Sequence, residues 1–334
     1  MSRDAETAVT FTSSDESVVT VDEVNGVGYL TPVSLGIATI LVEAEETDEY
    51  KAASVRVNVQ VVKQQQPVSI GIPKTKVAIG DTVQLKAYGA QGKVSYTVSP
   101  NTTYATVSRI DLVTAKVTAK KAGTVSIIVR VPETDQYEAY SETVKITIVP
   151  AATSSLTAVN LATGIKLTWK AVAGASGYRV YRNNSLIATL AGSTKVTYTD
   201  KKGNTNGSKY VYKVVAYRNV NNVKVASTKS KSVAIYRVAR PAITSLKNSS
   251  SKKMTVKWGK NAKATGYEIQ YCLKSSFASG RKTVTISKNS TIATTIKNLL
   301  KGKIYYVRVR AFKTVSGKKY YSAWSVTRKL KISN

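Results

Sequence analysis

The clearest pattern in the chain is an alternation of apolar and polar residues with a period of two. In SVRVNVQVV the four valines from Val55 to Val61 fall on one face, and Arg56, Asn58 and Gln60 fall on the other. This period predicts a half-buried strand. Similar short segments recur along the chain, separated by turn residues, and no long apolar stripe follows the 3.6-residue period of a helix. The sequence therefore predicts an all-β protein with almost no helix.

The first part of the chain contains one pair of repeats. Residues 36–62 align without a gap on residues 123–149, so that ETDEY in the first copy lies over ETDQY in the second. Further back, residues 13–22 match residues 99–108. A structural unit that is built twice explains such a fixed spacing better than a catalytic loop does.

A second pair of repeats fills the rest of the chain. LTWKAVAGASGYRVYR resembles VKWGKNAKATGYEIQY, and in both segments a tryptophan, Trp169 or Trp258, precedes a tyrosine, Tyr178 or Tyr267, by nine residues. Each tryptophan lies in an alternating segment. We therefore expect Trp169 and Trp258 to be central core residues of their units.

Together the repeats predict a tandem array of four antiparallel β-sandwich domains joined at the proline-containing stretches QQQPV, VPAAT and RVARPA. The predicted limits of the four units are 1–66, 67–150, 151–240 and 241–334.

The first unit is expected to be truncated at its N-terminal side. Only 12 residues precede Ser13, whereas 32 residues of the second unit precede the matching segment, including VAIGDTVQLKAYG. This difference predicts that two opening strands are missing. It also predicts an unpaired strand edge near residues 9–21.

The motifs in both pairs of repeats resemble known families. The SSDESVVTVD segment, the strand opened by Gly36 or Gly123 and the DxY segment make the first two units similar to bacterial immunoglobulin-like domains of group 2. The early tryptophan, GYRVYR or GYEIQY, and Gly-x-x-Tyr make the last two similar to fibronectin type III domains. That resemblance implies a tyrosine corner at Tyr210 and Tyr305.

The recurring ETDxY segment is interpreted as a structural corner rather than as a ligand site. Its acidic residues could offer oxygens to calcium, but the segment lacks the DxDxDG spacing of a calcium loop. A turn-forming aspartate, Asp48 or Asp135, followed by an anchoring tyrosine, Tyr50 or Tyr137, explains why the two copies share it.

Candidate chemistry is scarce. The chain has no histidine, which excludes histidine-based catalysis and the usual zinc and iron sites. Residues 151–334 contain only two carboxylates, Asp200 and Glu268. The single cysteine, Cys272, has no internal partner and is interpreted as a small buried hydrophobe. We therefore predict no catalytic, cofactor-binding or metal-binding residue and no enzymatic activity.

Charge is distributed very unevenly. Net charge by unit is −7, +4, +14 and +20, and the last two units carry 36 basic against 2 acidic residues. This surface indicates contact with a polyanion such as teichoic acid or acidic glycan, or else a solubility feature of a passive spacer.

A specific contact set is predicted on YYVRVRAF and the turn after it. The alternation places Tyr306, Arg308, Arg310 and Phe312 outward in one row, where aromatic and guanidinium groups could stack on sugars. Lys318 and Lys319 follow in the next turn. No recognised nucleic-acid motif is present, so base-specific binding to nucleic acid is not expected.

No segment is apolar enough to cross a membrane, and MSRDAETA does not resemble a secretion signal. We interpret the chain as the C-terminal piece of an exported protein whose signal lies upstream, with a cytosolic protein as the alternative. The resemblance implies trains of domains on surface or secreted proteins of Gram-positive bacteria.

The expected function is a non-enzymatic extracellular spacer or adhesive stalk at the cell surface or cell wall. The expected partners are an anionic cell-wall polymer or glycan and a host or matrix surface. The alternative is an accessory region of a secreted hydrolase with an upstream catalytic domain, and a third is a nucleic-acid-binding protein.

Overall fold

The computed structural model describes residues 8–99, 102–220, 222–227 and 230–333. The N-terminal MSRDAET segment, on which the absence of a secretion signal was predicted, lies outside the described residues. Within the described ranges the chain forms 29 strands and no helix. The prediction of an all-β tandem array of sandwich units is confirmed.

The first unit packs a sheet of order β1-β4-β5 with the hairpin β2-β3. Its small core contains Val18, Val19, Ala38 and Ile40. The strands are β1 (Val9–Ser13), β2 (Val19–Val24), β3 (Val27–Pro32), β4 (Gly36–Ala44) and β5 (Ala53–Val61).

The second unit has two sheets of four strands each and a much larger core. Its strands are β6 (Ser69–Gly71), β7 (Lys76–Ala78), β8 (Thr82–Tyr88), β9 (Ser95–Ser99), β10 (Ala105–Arg109), β11 (Thr114–Ala119), β12 (Gly123–Val131) and β13 (Tyr140–Val149). The sheet orders are β10-β11-β8-β6 and β7-β13-β12-β9. The pairing of β7 with β13 is parallel, which departs from the purely antiparallel prediction.

The third and fourth units share one topology. Each packs a three-stranded sheet, β14-β15-β18 or β22-β23-β26, against a five-stranded sheet. The third unit has β14 (Thr157–Leu161), β15 (Gly164–Thr168), β16 (Gly177–Arg182), β17 (Ser185–Ala191), β18 (Thr197–Asp200), β19 (Lys209–Val220), β20 (Val223–Ala226) and β21 (Ser232–Tyr236). The fourth unit has β22 (Ile243–Ser250), β23 (Lys253–Trp258), β24 (Gly266–Cys272), β25 (Lys282–Ile286), β26 (Ala293–Ile296), β27 (Ile304–Val315), β28 (Lys318–Tyr321) and β29 (Arg328–Lys331).

Two tryptophans lie at the centres of these last cores. Trp169 and Trp258 are both buried in the clusters of their own units. In each unit the tyrosine near the start of the long central strand reaches back along the chain. The hydroxyl of Tyr210 accepts a hydrogen bond from the Thr205 N–H at 3.3 Å. The hydroxyl of Tyr305 accepts one from the Leu300 N–H at 3.3 Å, which is the geometry of a tyrosine corner.

The glycine of each GY motif is required by an aromatic ring on the neighbouring strand. Gly177 lies opposite Tyr217, and Gly266 lies opposite Phe312. A Cβ atom on Gly266 would approach the Phe312 ring to 2.8 Å and the Ile286 carbonyl oxygen to 2.1 Å. The ring thus covers the gap that the glycine leaves in the sheet.

The ETDxY corner is built in the same way twice, but not by the tyrosine side chain. The Tyr50 N–H donates to Thr47 Oγ1 at 3.1 Å, and the Tyr137 N–H donates to Thr134 Oγ1 at 3.0 Å. Tyr50 is 55% exposed. The interpretation of Tyr50 as an anchoring side chain is therefore wrong, because the threonine hydroxyl holds the turn.

The second copy of this corner also contacts the segment that joins the first two units. The N–H of Gln64 donates to the Gln136 carbonyl, and the N–H of Glu138 donates to the Gln64 carbonyl, both at 2.8 Å. Lys63 forms an ion pair with Glu133 at 3.2 Å. The equivalent turn of the first unit is exposed.

The first unit has open strand edges at the predicted position and at two other strands. Strand β1 pairs with β4, and its counterpart β9 is also an edge strand in the second unit. In the second unit β11 pairs with β8, and β13 pairs with β7. The corresponding strands of the first unit, β3 and β5, have no such neighbour among residues 8–66. The unpaired edge predicted near residues 9–21 is present, because β1 and β2 are both edge strands of their sheets, and β3 and β5 add two more open edges.

Candidate polyanion-contact surface

The predicted contact residues belong to a stack of arginines and rings on the outer face of the five-stranded sheet in the fourth unit. The Arg308 guanidinium lies 4.1 Å from the centroid of the Phe277 ring and 4.5 Å from that of Trp324. The Arg310 guanidinium lies 4.5 Å from the Trp324 centroid and 3.7 Å from that of Tyr321. We call these five residues the arginine–aromatic ladder.

Two of the three guanidinium nitrogens of each arginine also donate hydrogen bonds within the unit. Arg308 donates from Nε and Nη2 to Gln270 Oε1 at 3.0 and 2.7 Å. Arg310 donates from Nε and Nη2 to Glu268 Oε2 at 2.9 and 2.6 Å. Gln270 and Glu268 lie directly opposite Arg308 and Arg310 across the β24–β27 ladder. The register of this strand pair thus brings donors and acceptors together.

The loop after β28 places Trp324 between the two arginines. Ser322 and Ser325, on either side of Trp324, act as an extra strand segment: their Oγ atoms accept from the N–H groups of Ala311 and Val309 at 2.9 and 3.0 Å. Their own N–H groups donate to the carbonyls of the same two residues. The tryptophan ring is therefore fixed over β27.

Burial of the ladder changes the protonation behaviour of two members. Burial lowers the pKa of Arg308, and the neighbouring positive charge of Arg310 lowers it further. Burial raises the pKa of Tyr321, and the Glu268 carboxylate, which accepts a hydrogen bond from its hydroxyl at 3.2 Å, acts in the same direction. The ladder is thus a partly desolvated structural element rather than an open basic patch.

The other predicted contact residues have different environments. Phe312 is 2% exposed, so the prediction that it faces solvent is wrong. It does point to the outer face, but Gly266, Tyr321 and Lys319 surround it. Tyr306 is half-buried. Lys318 and Lys319 are exposed, with their Nζ atoms 5.2 Å from the Tyr320 centroid and 4.6 Å from the Phe312 centroid, respectively.

Both carboxylates of residues 151–334 are already paired with arginines. Arg182 donates to both carboxylate oxygens of Asp200, at 3.0 and 2.8 Å, and the Tyr212 hydroxyl donates to Oδ2 at 2.7 Å. Glu268 is paired with Arg310 at 2.6 Å. No described lysine of this half therefore has a carboxylate partner.

Lysines are instead concentrated on exposed positions. All described lysines of residues 151–334 are exposed except Lys313, which is half-buried. On the three-stranded sheet of the fourth unit, Lys253 and Lys257 alternate with the buried side chains of β23, and Lys247 lies on the adjacent strand opposite Thr255. We call the outer face that carries Lys247, Lys253 and Lys257 the lysine face.

Sequence reasoning missed three members of the ladder, Phe277, Tyr321 and Trp324. The segment YYSAWS, which follows RVRAF by a short turn, was the available signal, because an aromatic residue near a pair of alternating arginines can stack on them. Phe277 lies in an irregular loop and has no such signal. Its position is determined only by the fold.

Other candidate chemistry is structural. Cys272 is buried, and its Sγ donates to the Lys274 carbonyl at 3.2 Å. Among the described residues, no three histidine, cysteine, aspartate or glutamate side chains are grouped so that they could hold a metal ion. The part of the chain that the structure describes contains no helix with the length and apolarity to span a membrane.

Comparisons with known proteins identify the fourth unit. Residues 239–328 match the fibronectin type III domain family. This match confirms the resemblance for that part of the chain. No curated protein matches the chain.

Solved structures that are similar to the chain include two of tandem fibronectin type III domains. One is the crystal structure of the chicken CNTN1 FN1-FN3 domains, with 20% identity and a TM-score of 0.34, covering 81% of this chain and 100% of that one. The other is a segment of two fibronectin type III domains from chicken tenascin, with 18% identity and a TM-score of 0.27, covering 55% of this chain and 99% of that one.

Proposed function

We propose that this chain is a non-enzymatic extracellular spacer whose last two units bind an anionic polymer through exposed lysines. The observation that carries the proposal is the pairing of both carboxylates of this half, Asp200 and Glu268, with arginines of the same units. The lysines have no internal counter-charge. Their neutralising charge comes from outside the protein.

We also propose the domain families and the cellular location that the sequence motifs imply. The first two units are bacterial immunoglobulin-like domains of group 2, the third is a second fibronectin type III domain, and the unit limits are residues 66, 150 and 240. The protein is secreted to the surface of a Gram-positive bacterium, and the polymer is a phosphate-rich component of its wall. Fibronectin type III domains commonly act as spacer or adhesive modules, which supports this role.

The structure favours the lysines over the ladder as the binding groups. Each ladder guanidinium has rings at its faces and an acceptor at two of its three nitrogens, so a polymer phosphate has less access to it than to an exposed lysine. The ammonium groups of the lysine face are solvated and free to exchange counterions for phosphates. Binding is therefore spread over many weak contacts.

The test measures retention of the full chain on immobilised teichoic acid between about 50 and about 500 mM NaCl. Retention should fall steeply with salt. Replacing Lys247, Lys253 and Lys257 by glutamine should weaken it more than the same change at three exposed lysines of the second unit, which are Lys93, Lys116 and Lys145.

A neutral dextran matrix serves as the control for non-ionic adsorption. The proposal would be contradicted if the two triple replacements had equal effects or if retention did not depend on salt. Equal retention on dextran and on teichoic acid would contradict it as well. A passive spacer would then describe these units better.

A further inference from the structure

The segment that joins the third and fourth units, residues 237–242 between β21 and β22, is not an exposed linker. Arg237, Val238 and Pro241 are buried. Val238 belongs to the core cluster of the fourth unit, although it lies only two residues after β21. Tyr320 of the fourth unit packs against the core clusters of both units. The hydrophobic core therefore continues from one unit into the next.

Arg237 is a buried cation whose hydrogen bonds, among the described residues, all go to neutral oxygens. Its guanidinium donates to the carbonyl oxygens of Leu161, Ala162 and Val238, each at 3.0 Å. It also donates from Nε and Nη2 to Asn204 Oδ1, at 2.9 and 2.6 Å. A buried charge is costly unless its hydrogen bonds are made, so a movement of this segment that broke them would be unfavourable. The start of the segment is thus tied to the third unit.

Two asparagine side chains, one from each unit, clamp the middle of the same segment. Asn206 Nδ2 donates to Asn261 Oδ1 at 2.8 Å. The Ala239 N–H donates to Asn206 Oδ1 at 3.0 Å, and the Ala239 carbonyl accepts from Asn261 Nδ2 at 2.8 Å. Asn261 is itself held in the fourth unit, because its N–H donates to the Tyr267 hydroxyl at 2.7 Å. A loop of each unit therefore holds the segment from either side.

A third asparagine connects the two units beside this clamp. Asn160, on β14, donates from Nδ2 to the Tyr236 carbonyl at 3.0 Å and to the Tyr321 carbonyl of the fourth unit at 2.9 Å. We call Asn160, Asn206, Arg237 and Asn261 the joint network. Its contacts are hydrogen bonds to uncharged acceptors rather than ion pairs, so dissolved salt has little effect on them.

We propose that the third and fourth units form one rigid body, because the amide pair Asn206–Asn261 fixes their relative orientation around a segment held by Arg237. Neighbouring domains of one chain move relative to each other unless their interface prevents it. Here the interface combines a shared core with hydrogen bonds that cross the joint. The orientation of the two units should therefore persist at any ionic strength.

The experiment measures distances by pulsed electron paramagnetic resonance on the full chain with two nitroxide labels. Lys166→Cys places one label on the third unit and Lys282→Cys places the other on the fourth, both at exposed strand positions, and Cys272→Ser removes the native thiol. A second pair within the third unit, Lys166→Cys with Lys213→Cys, gives the width that label motion alone produces. We expect the inter-unit distribution to be as narrow as the in-unit one from about 50 mM to about 1 M NaCl.

The double variant Asn206→Ala with Asn261→Ala removes both amides without changing the charge. It should broaden the inter-unit distribution by about twofold or more and leave the in-unit distribution unchanged. The matched control is Asn219→Ala, at an exposed position of β19, which should change neither distribution.

A broad inter-unit distribution in the parent chain, or one that broadens with salt, would overturn the proposal, because the units would then move independently. An inter-unit distribution that the double variant leaves unchanged would overturn it too. So would broadening of both distributions, since the amides would then hold the fold of the third unit rather than its orientation. No polymer is present in these measurements, so their outcome is independent of binding by the lysine face.

Discussion

The indole of Trp258 packs edge-on against the ring of Tyr267, with centroids 5.4 Å apart and an interplanar angle of 60°. The same pair recurs in the third unit, where Trp169 and Tyr178 are 5.3 Å apart at 65°. In both units the tyrosine hydroxyl then accepts a hydrogen bond from a backbone N–H six residues before it. The nine-residue spacing in the sequence therefore preserves a packed pair that joins the two sheets.

The first prediction follows from this pair. Trp258→Ala should destabilise the fourth unit by about 3 to 5 kcal/mol, because it opens a large cavity in a fully buried cluster. Trp258→Phe should cost less, since it keeps an aromatic contact with Tyr267 and removes an indole N–H that has no hydrogen-bond partner. Calorimetry of the full chain checks both. A fourth-unit transition that hardly moves for Trp258→Ala would contradict the core assignment.

The second prediction concerns the pH dependence of the third unit. Burial alone would raise the pKa of Asp200, but hydrogen bonds from Tyr212 and Arg182 outweigh burial and leave the pKa below its usual range. A carboxylate whose pKa is lower in the folded state stabilises the fold at pH values above its unfolded-state pKa of about 3.9. That contribution is lost as the pH falls through the folded-state pKa. Melting temperatures of the third unit should therefore fall below about pH 4.

The variant Asp200→Asn provides the control for this pH effect. It should lower stability at neutral pH by about 2 to 3 kcal/mol, because Arg182 and Tyr212 lose a charged acceptor. It should also reduce the pH dependence of the third unit in the acidic range. If the variant and the parent lost stability equally on acidification, the Arg182–Asp200 ion pair would not be the source of the pH dependence.

The third prediction tests whether the arginine–aromatic ladder stabilises the fourth unit without contributing to polymer binding. Arg310→Lys keeps the charge but loses the planar stacking on Trp324 and Tyr321, so it should destabilise the fourth unit by about 1 to 2 kcal/mol. Retention on teichoic acid should stay close to that of the parent chain. The matched control is Arg240→Lys, at an exposed position. A loss of retention as large as that of the triple lysine variant would show that the ladder itself binds the polymer.

The fourth prediction concerns the contact between the third and fourth units. Tyr320 of the fourth unit packs edge-on against Tyr236 of the third at 5.1 Å, and Asn160 Nδ2 donates to the Tyr321 carbonyl at 2.9 Å. Tyr320→Ala should remove a ring contact worth about 0.5 to 1.5 kcal/mol and lower the melting temperature of the third unit as well as the fourth. Lys319→Ala is the neighbouring control. A third-unit transition that does not respond to Tyr320→Ala would mean that the two units unfold independently.

Much of the fold could be predicted from the sequence, because strand formation depends on the pattern of neighbouring residues. A period of two assigns strands wherever one face is buried, and the repeats of Trp169 and Trp258 identify the cores of their units without any knowledge of contacts. The excess of lysine over carboxylate in residues 151–334 is likewise a property of composition. No packing arrangement of these units can bury so many ammonium groups.

What covers each face was decided only by the tertiary structure. Alternation correctly places Phe312 and Arg310 on the outer side of β27, but Tyr321 and Trp324, which come from other segments, cover that side. In the same way, Val57 has the sequence of a core residue and is nevertheless exposed. Periodicity reports the direction in which a side chain points, because that depends on the backbone alone. Burial and partners depend on residues distant in sequence, so only the assembled sheets determine them.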